Sequence, residues 1–141
     1  ELHVPSLIPD DYLPDVHTRL TLYKRISSAR DKEELRDLQV EMIDRFGLLP
    51  DPAKYLFATA ELKLAANEMG IRKLELGEHG GRIVFEAKPK IDPMAVIQLI
   101  QKQPKLYTMD GPDKLRIKVP LPDAPDRFNA AKALLMTLAP G

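Results

Sequence analysis

Asp44–Phe57, DRFGLLPDPAKYLF, carries a helix stop, a short bridge and a helix start within one stretch. Gly47 accepts the left-handed backbone that ends a helix, and Pro50 blocks its resumption. Asp51 followed by Pro52 reads as an N-cap and a first helical turn. Two helices joined this tightly must fold back on each other. Working outward, the helix before the bridge starts after Asp31, whose side chain can cap while Glu34 reaches back, and runs to Phe46. The helix after it spans Pro52 to Met69 and stops at Gly70; its apolar residues go nearly all round, which places it centrally.

Upstream, ELHVPSLIPDDYLPD is interrupted by three prolines, so residues 1–15 read as extended, with at most a short strand at Leu2–Val4. Asp15 then caps a first amphipathic helix from Val16 to about Ala29, with Leu20, Leu22, Tyr23 and Ile26 expected to face inward. After Gly70 the period changes. RKLELGEHGGRIVFEA alternates on both sides of a glycine turn, with Leu74, Leu76, Ile83 and Phe85 as inward positions. DPMAVIQLIQKQ follows as a helix capped by Asp92. KLYTMDGPDKLRIKV repeats the hairpin, and DAPDRFNAAKALLMTL closes with a helix. The expected fold is α+β: three helices, then a strand-strand-helix unit used twice, its four strands forming a mostly antiparallel sheet packed with helices. Residues 1–141 are expected to form a single domain, with a helical part at 1–70 and an α+β part at 71–141.

The 141 residues, 44% hydrophobic, suffice for a packed core. The chain has no cysteine, which removes disulfides, thiol nucleophiles and thiolate metal sites together. No stretch has transmembrane length, and the expected location is the cytoplasm. Glu1 opens directly on an alternating segment, the expected mark of a piece of a longer protein. Net charge is zero, but the halves differ: residues 1–70 hold 9 Lys and Arg against 13 Asp and Glu, residues 71–141 hold 12 against 8. Such a balance does not suggest a duplex-binding domain overall.

Chemistry is sparse. GEHGGR has the glycines of a phosphate loop without its Lys-Ser or Lys-Thr, and reads as a hairpin turn. His3, His17 and His79 fall in three different elements, so neither a zinc site nor a triad is expected. Asp10, Asp11 and Asp15 read as turn and cap residues. No catalytic residue, metal ligand or cofactor site emerges.

Two charged constellations remain. On the expected strand Lys114–Val119, Lys114, Arg116 and Lys118 share one face, with Leu115, Ile117 and Val119 on the other. This row is either an ordinary solvated face or a contact for phosphates or an acidic partner. On the helix 32–46, Leu35, Leu38, Met42 and Phe46 fall within an arc of about 80° facing the core. Glu33, Glu34, Asp37, Glu41 and Asp44 fall within an arc of about 100° roughly opposite, with Val40 at its edge. Like charges at three- and four-residue spacing repel, so stability alone does not ask for them. The stripe is either a solvated face or a surface for an arginine-bearing partner.

Three longer stretches, SLIPDDYLPDVHTRLTLYKRISSA (6–29), EMIDRFGLLPDPAKYLF (41–57) and MGIRKLEL (69–76), resemble the C-terminal domain of the bacterial transcription-repair coupling factor family, Mfd. The resemblance is dense from Leu2 to Val119, and beyond Pro120 it extends only to a final helix. It implies a regulatory domain without catalysis in a large ATP-driven DNA translocase whose motor lies outside this chain. It further implies an autoinhibitory partner within the same protein, an upstream UvrB-like module whose UvrA-binding surface this domain covers until the protein engages stalled RNA polymerase and DNA. On that basis Glu41 and Asp44, then Asp37, Glu34 and Val40, are the expected docking residues, while Gly47, Pro50, Asp51 and Gly70 set the helix junctions. A nucleic-acid module using Lys114, Arg116 and Lys118 is the alternative.

Overall fold

The computed structural model describes residues 1–140. Its helices are α1 (Val16–Ser27), α2 (Lys32–Phe46), α3 (Asp51–Glu68), α4 (Pro93–Lys102) and α5 (Ala124–Leu138), and its strands are β1 (Ile71–Gly77), β2 (Gly80–Phe85), β3 (Tyr107–Met109) and β4 (Lys114–Ile117). The order is three helices and then strand, strand, helix twice, as the patterning predicts. The chain divides into two compact units, Val4–Leu64 and Glu1–His3 with the residues from Ala65 onward. The boundary between these units falls inside α3, at Leu64 and Ala65. A helix is continuous through its own hydrogen bonds, and nothing obliges it to end where one core gives way to another.

The helical unit is built on one cluster: Ile8, Leu13, Leu22, Ile26, Leu35, Leu38, Met42, Leu49, Ala53 and Phe57 are all buried. Leu35, Leu38 and Met42 supply α2's inward stripe, as expected. Leu20 does not join it and is 62% exposed. α1 is buried about Leu22 and Ile26, and at 100° per residue Leu20 lies about 120° or more round from both. The proline-broken leading segment is strapped down by polar contacts. The Leu7 N–H donates to the Pro52 carbonyl at 3.1 Å. That of Ile8 donates to the Tyr23 hydroxyl at 2.6 Å. The Tyr12 hydroxyl lies 2.7 Å from the Gly47 carbonyl oxygen and 3.2 Å from that of Met42, donating toward both.

The helix junctions follow the sequence with local corrections. Asp31 caps α2, its carboxylate accepting from the Glu34 N–H at 2.8 Å. Glu34 reaches back to the N–H of Arg30, one residue before the cap, at 2.9 Å. Gly47 ends α2 with its N–H on the Ile43 carbonyl. Its φ is 97° as glycine favours, but its ψ of −175° is extended, so the chain leaves the helix at once instead of winding on. Asp51 is the first residue of α3 and not its cap; the Pro50 carbonyl accepts from the N–H groups of Ala53 and Lys54, each at 3.0 Å. Gly70, at φ 70°, closes α3.

The sheet unit has strand order β1-β2-β4-β3, every neighbouring pair antiparallel. Leu74, Ile83, Leu115 and Met109 lie opposite one another across the four strands. Leu76, Ile83, Leu115 and Ile117 are buried and form the floor of the apolar face. β2 is an inner strand, and Ile83, Val84 and Phe85 are buried in succession. At the first hairpin a Cβ on Gly81 would come 1.7 Å from the Glu75 carbonyl oxygen, so the close approach of β1 and β2 requires glycine there. Leu2–Val4 forms no strand. The backbone of Glu1 pairs with β1, its carbonyl accepting from the Leu76 N–H, before His3 turns to φ 51°. The Asp92 carboxylate caps α4 through Met94, and the Asp92 N–H donates to the Leu138 carbonyl at the end of α5.

Candidate docking surface

The outward face of α2 carries every acidic residue that the sequence reading singled out, yet they are not equivalent. Glu41 is already engaged. Arg25 of α1 grips its carboxylate with both terminal nitrogens at 2.7 and 3.0 Å, and Arg45 lies 3.4 Å away. The Arg25 hydrogen bonds are the main reason that the Glu41 carboxyl sits below its usual range, with Arg45 adding to the effect and partial burial opposing it. The same contact raises Arg25. A two-pronged guanidinium–carboxylate contact fixes geometry as well as charge, so Glu41 joins α1 to α2. Glu34 is spent on the helix start, with the Arg30 guanidinium 4.0 Å away. Glu33, Asp37 and Asp44 form no salt bridge among the described residues, and all three are exposed.

Beside these carboxylates the helix exposes aliphatic side chains, one turn on from the exposed Arg36. Val40 is 53% exposed and Ile43 38%, while Leu48 in the bridge is 85% exposed. Val40, Ile43 and Asp44 lie three and four residues apart, and so side by side on the helix. Asp37 is one turn back from Val40 and Glu41. The surface that results is a short apolar strip edged by two unpaired aspartates, with a shallow hollow beside it lined by Arg25, Ser28, Glu34, Asp37, Leu38 and Glu41. Sequence reasoning found Val40 but missed Ile43 and Leu48. Ile43 sits between the buried and acidic arcs, and Leu48 lies in a bridge where helical periodicity does not apply.

The cationic row is redistributed. Lys114 and Arg116 share a face of β4 as expected, but the strand ends at Ile117 and Lys118 lies just past it. Arg116 is joined instead by Arg82, directly opposite on β2. The full row across the sheet reads Glu75, Arg82, Arg116, Thr108. Glu75 Oε1 is 3.5 Å from Arg82, and Asp110 Oδ2 is 3.3 Å from Arg116. Single-strand periodicity cannot find a neighbour on another strand, which is why Arg82 escaped notice.

No described helix is long and apolar enough to cross a membrane. The described groups that could gather a metal ion reduce to Glu1, His3 and Glu75, three side chains at the sheet's edge. Glu75 is already hydrogen-bonded to His3 at 3.1 Å and paired with Arg82, so partners within the chain account for it.

The described chain is thus an α+β domain of three helices followed by a helix-packed antiparallel sheet, with its distinctive charge on exposed faces. The chain belongs to the transcription-repair coupling factor family: the TRCF domain matches residues 2–96. It is 48% identical over 138 residues to the transcription-repair-coupling factor of Escherichia coli K12, and 34% identical over 139 residues to that of Myxococcus xanthus. Each comparison covers 98% of this chain and 12% of the relative, so the chain spans about an eighth of the length of these relatives. A crystal structure of the C-terminal domain of transcription-repair coupling factor shares the fold, with a TM-score of 0.68 at 17% identity over 95% of this chain and 90% of that one.

Proposed function

We propose that this chain is a non-catalytic regulatory domain whose α2 face docks on an upstream UvrB-like module of the same protein, masking that module's UvrA-binding surface until stalled RNA polymerase and DNA are engaged. The observation that carries the reading is the strip Val40–Ile43 edged by Asp37 and Asp44, exposed carboxylates beside exposed aliphatics on a helix whose other side is fully packed. Family membership supplies the context. Stability gains nothing from two unpaired carboxylates beside bare Val and Ile, whereas a modest polar interface that must open again uses such a mixture. The rigid junction at Gly47 limits the ordering entropy lost on docking.

Glu41 belongs to this surface as a brace. Reversing its charge would strip Arg25 of its partner and disturb the α1–α2 contact, so a docking test on Glu41 would confuse two effects. The cleaner variant is Asp44→Lys combined with Asp37→Lys. Binding of the 141-residue chain to the isolated UvrB-like module, measured by calorimetry, should weaken by at least about tenfold with no loss of melting temperature. Unchanged affinity in a folded double variant would show that the contact lies elsewhere.

A further inference from the structure

On the face of the sheet opposite the buried Leu76, Ile83, Leu115 and Ile117, strand alternation and register gather Lys73 from β1, Arg82 from β2, and Lys114 and Arg116 from β4, with Lys118 following in the same phase. Against these five cations stand three carboxylates: Glu75 and Asp110, one at each end of the Arg82–Arg116 pair, and Glu86, which follows β2 in the same phase. Two arginines directly opposite on neighbouring antiparallel strands repel, and a sheet built for stability alone would place opposite signs there. Glu75 lies on the β1 side of Arg82 and Asp110 at the β3 side of Arg116, so neither carboxylate stands between the two arginines in the register. Glu75, Gly81, Arg82, Asp110, Lys114 and Arg116 line a shallow groove at this place. Arg82 and Arg116 keep about half of their side-chain surface in solvent, so both forks remain accessible.

We infer that this groove is a phosphate-binding site whose occupant is the backbone of duplex nucleic acid. Paired guanidinium groups match phosphate oxygens two by two, and Lys114 adds a point charge on the adjacent row. The duplex is favoured over a single strand because no Phe, Tyr or Trp among the described residues stands on this face. In the sheet unit Phe85 and Tyr107 fall in the opposite phase of their strands and Phe128 is buried in α5. The contact is independent of the α2 surface, and neither reading requires the other.

The test is fluorescence anisotropy of a labelled 20-base-pair DNA duplex with the 141-residue chain. Three phosphate contacts give a slope of about −2.7 in log affinity against log salt, a loss of about 40-fold between 50 and 200 mM. Arg82→Gln with Arg116→Gln should lower affinity at least tenfold at 50 mM and reduce the slope to about −0.9. Lys132→Gln, an exposed α5 cation outside the face, should change neither, and thermal melting checks that the sheet persists. Equal binding by the double variant, or no binding at 50 mM salt, overturns the inference. Inorganic phosphate that binds and is lost with the two arginines, without duplex binding, would reduce the groove to a small-anion site and overturn the duplex assignment.

Discussion

The two charged surfaces, the acidic face of α2 and the cationic face of the sheet, are assembled in opposite ways. On α2 one continuous segment supplies all the like charges, and the cation that grips Glu41 with two bonds, Arg25, comes from another helix, with Arg45 of α2 itself adding to it. On the sheet the like charges come from different strands, while the neutralising Asp110 lies six residues from its arginine along the same hairpin. A charge run in sequence thus overstates the free charge of the helix, and the scattered cations understate that of the sheet. What marks a surface for a partner is the charge left after the fold has used its own.

Glycine separates the units most sharply. Gly81→Val in the sheet unit drives a Cβ into the Glu75 backbone, and should cost at least about 3 kcal/mol or prevent folding, read as a lost or strongly lowered melting transition. A Cβ at Gly47 in the helical unit meets no atom within 4 Å, so Gly47→Val is opposed chiefly by backbone strain. A smaller cost of about 1–3 kcal/mol is expected, with α2 retained by circular dichroism. Equal losses at the two sites would mean that the junction after α2 is as crowded as the hairpin.

Smaller still is the Arg25–Glu41 pair. Both side chains are more than a third exposed, so Arg25→Gln should cost no more than about 1 kcal/mol. Its signature is in pH. The folded carboxyl of Glu41 is depressed, so its contribution is present above the ordinary glutamate range and fades as pH falls through the folded value. Urea titrations from pH 7 down into the acid should show a shallower loss of stability in Arg25→Gln than in the parent; parallel curves would deny the pair its linkage. Asp44→Lys should be smallest, within about 0.5 kcal/mol, because no partner within the chain is lost. A larger destabilisation would reveal an intramolecular role for Asp44.

The element order, the α2 core stripe and the stop at Gly47 were legible because each depends on residues close in sequence. Leu35, Leu38 and Met42 declare a helix face by spacing, and Asp92-Pro93 declares a helix start by type. Leu20 was misplaced because its type was weighed above its angle: it stands about 120° or more from Leu22 and Ile26, outside the stripe that they define. Asp51 was read as a cap although the Pro50 carbonyl holds that position, a one-residue distinction that composition cannot make. Glu41's partner lies 16 residues away, and Arg82 meets Arg116 only through sheet register. Both surfaces became interpretable only when tertiary pairing was known.

The strap formed by Tyr12 has a kinetic consequence. Its hydroxyl holds two carbonyls at the end of α2, and burial raises its ionisation above the usual phenol value. A helix terminus normally frays alone, on a timescale set by its last turn. Here opening the last turn of α2 also breaks the Tyr12 contacts, so the Gly47 amide should exchange with solvent deuterium more slowly than that of an untethered helix end. Replacing the phenol with Phe removes this tether, so Gly47 should exchange earlier while Leu7, held by the Pro52 carbonyl, keeps its protection.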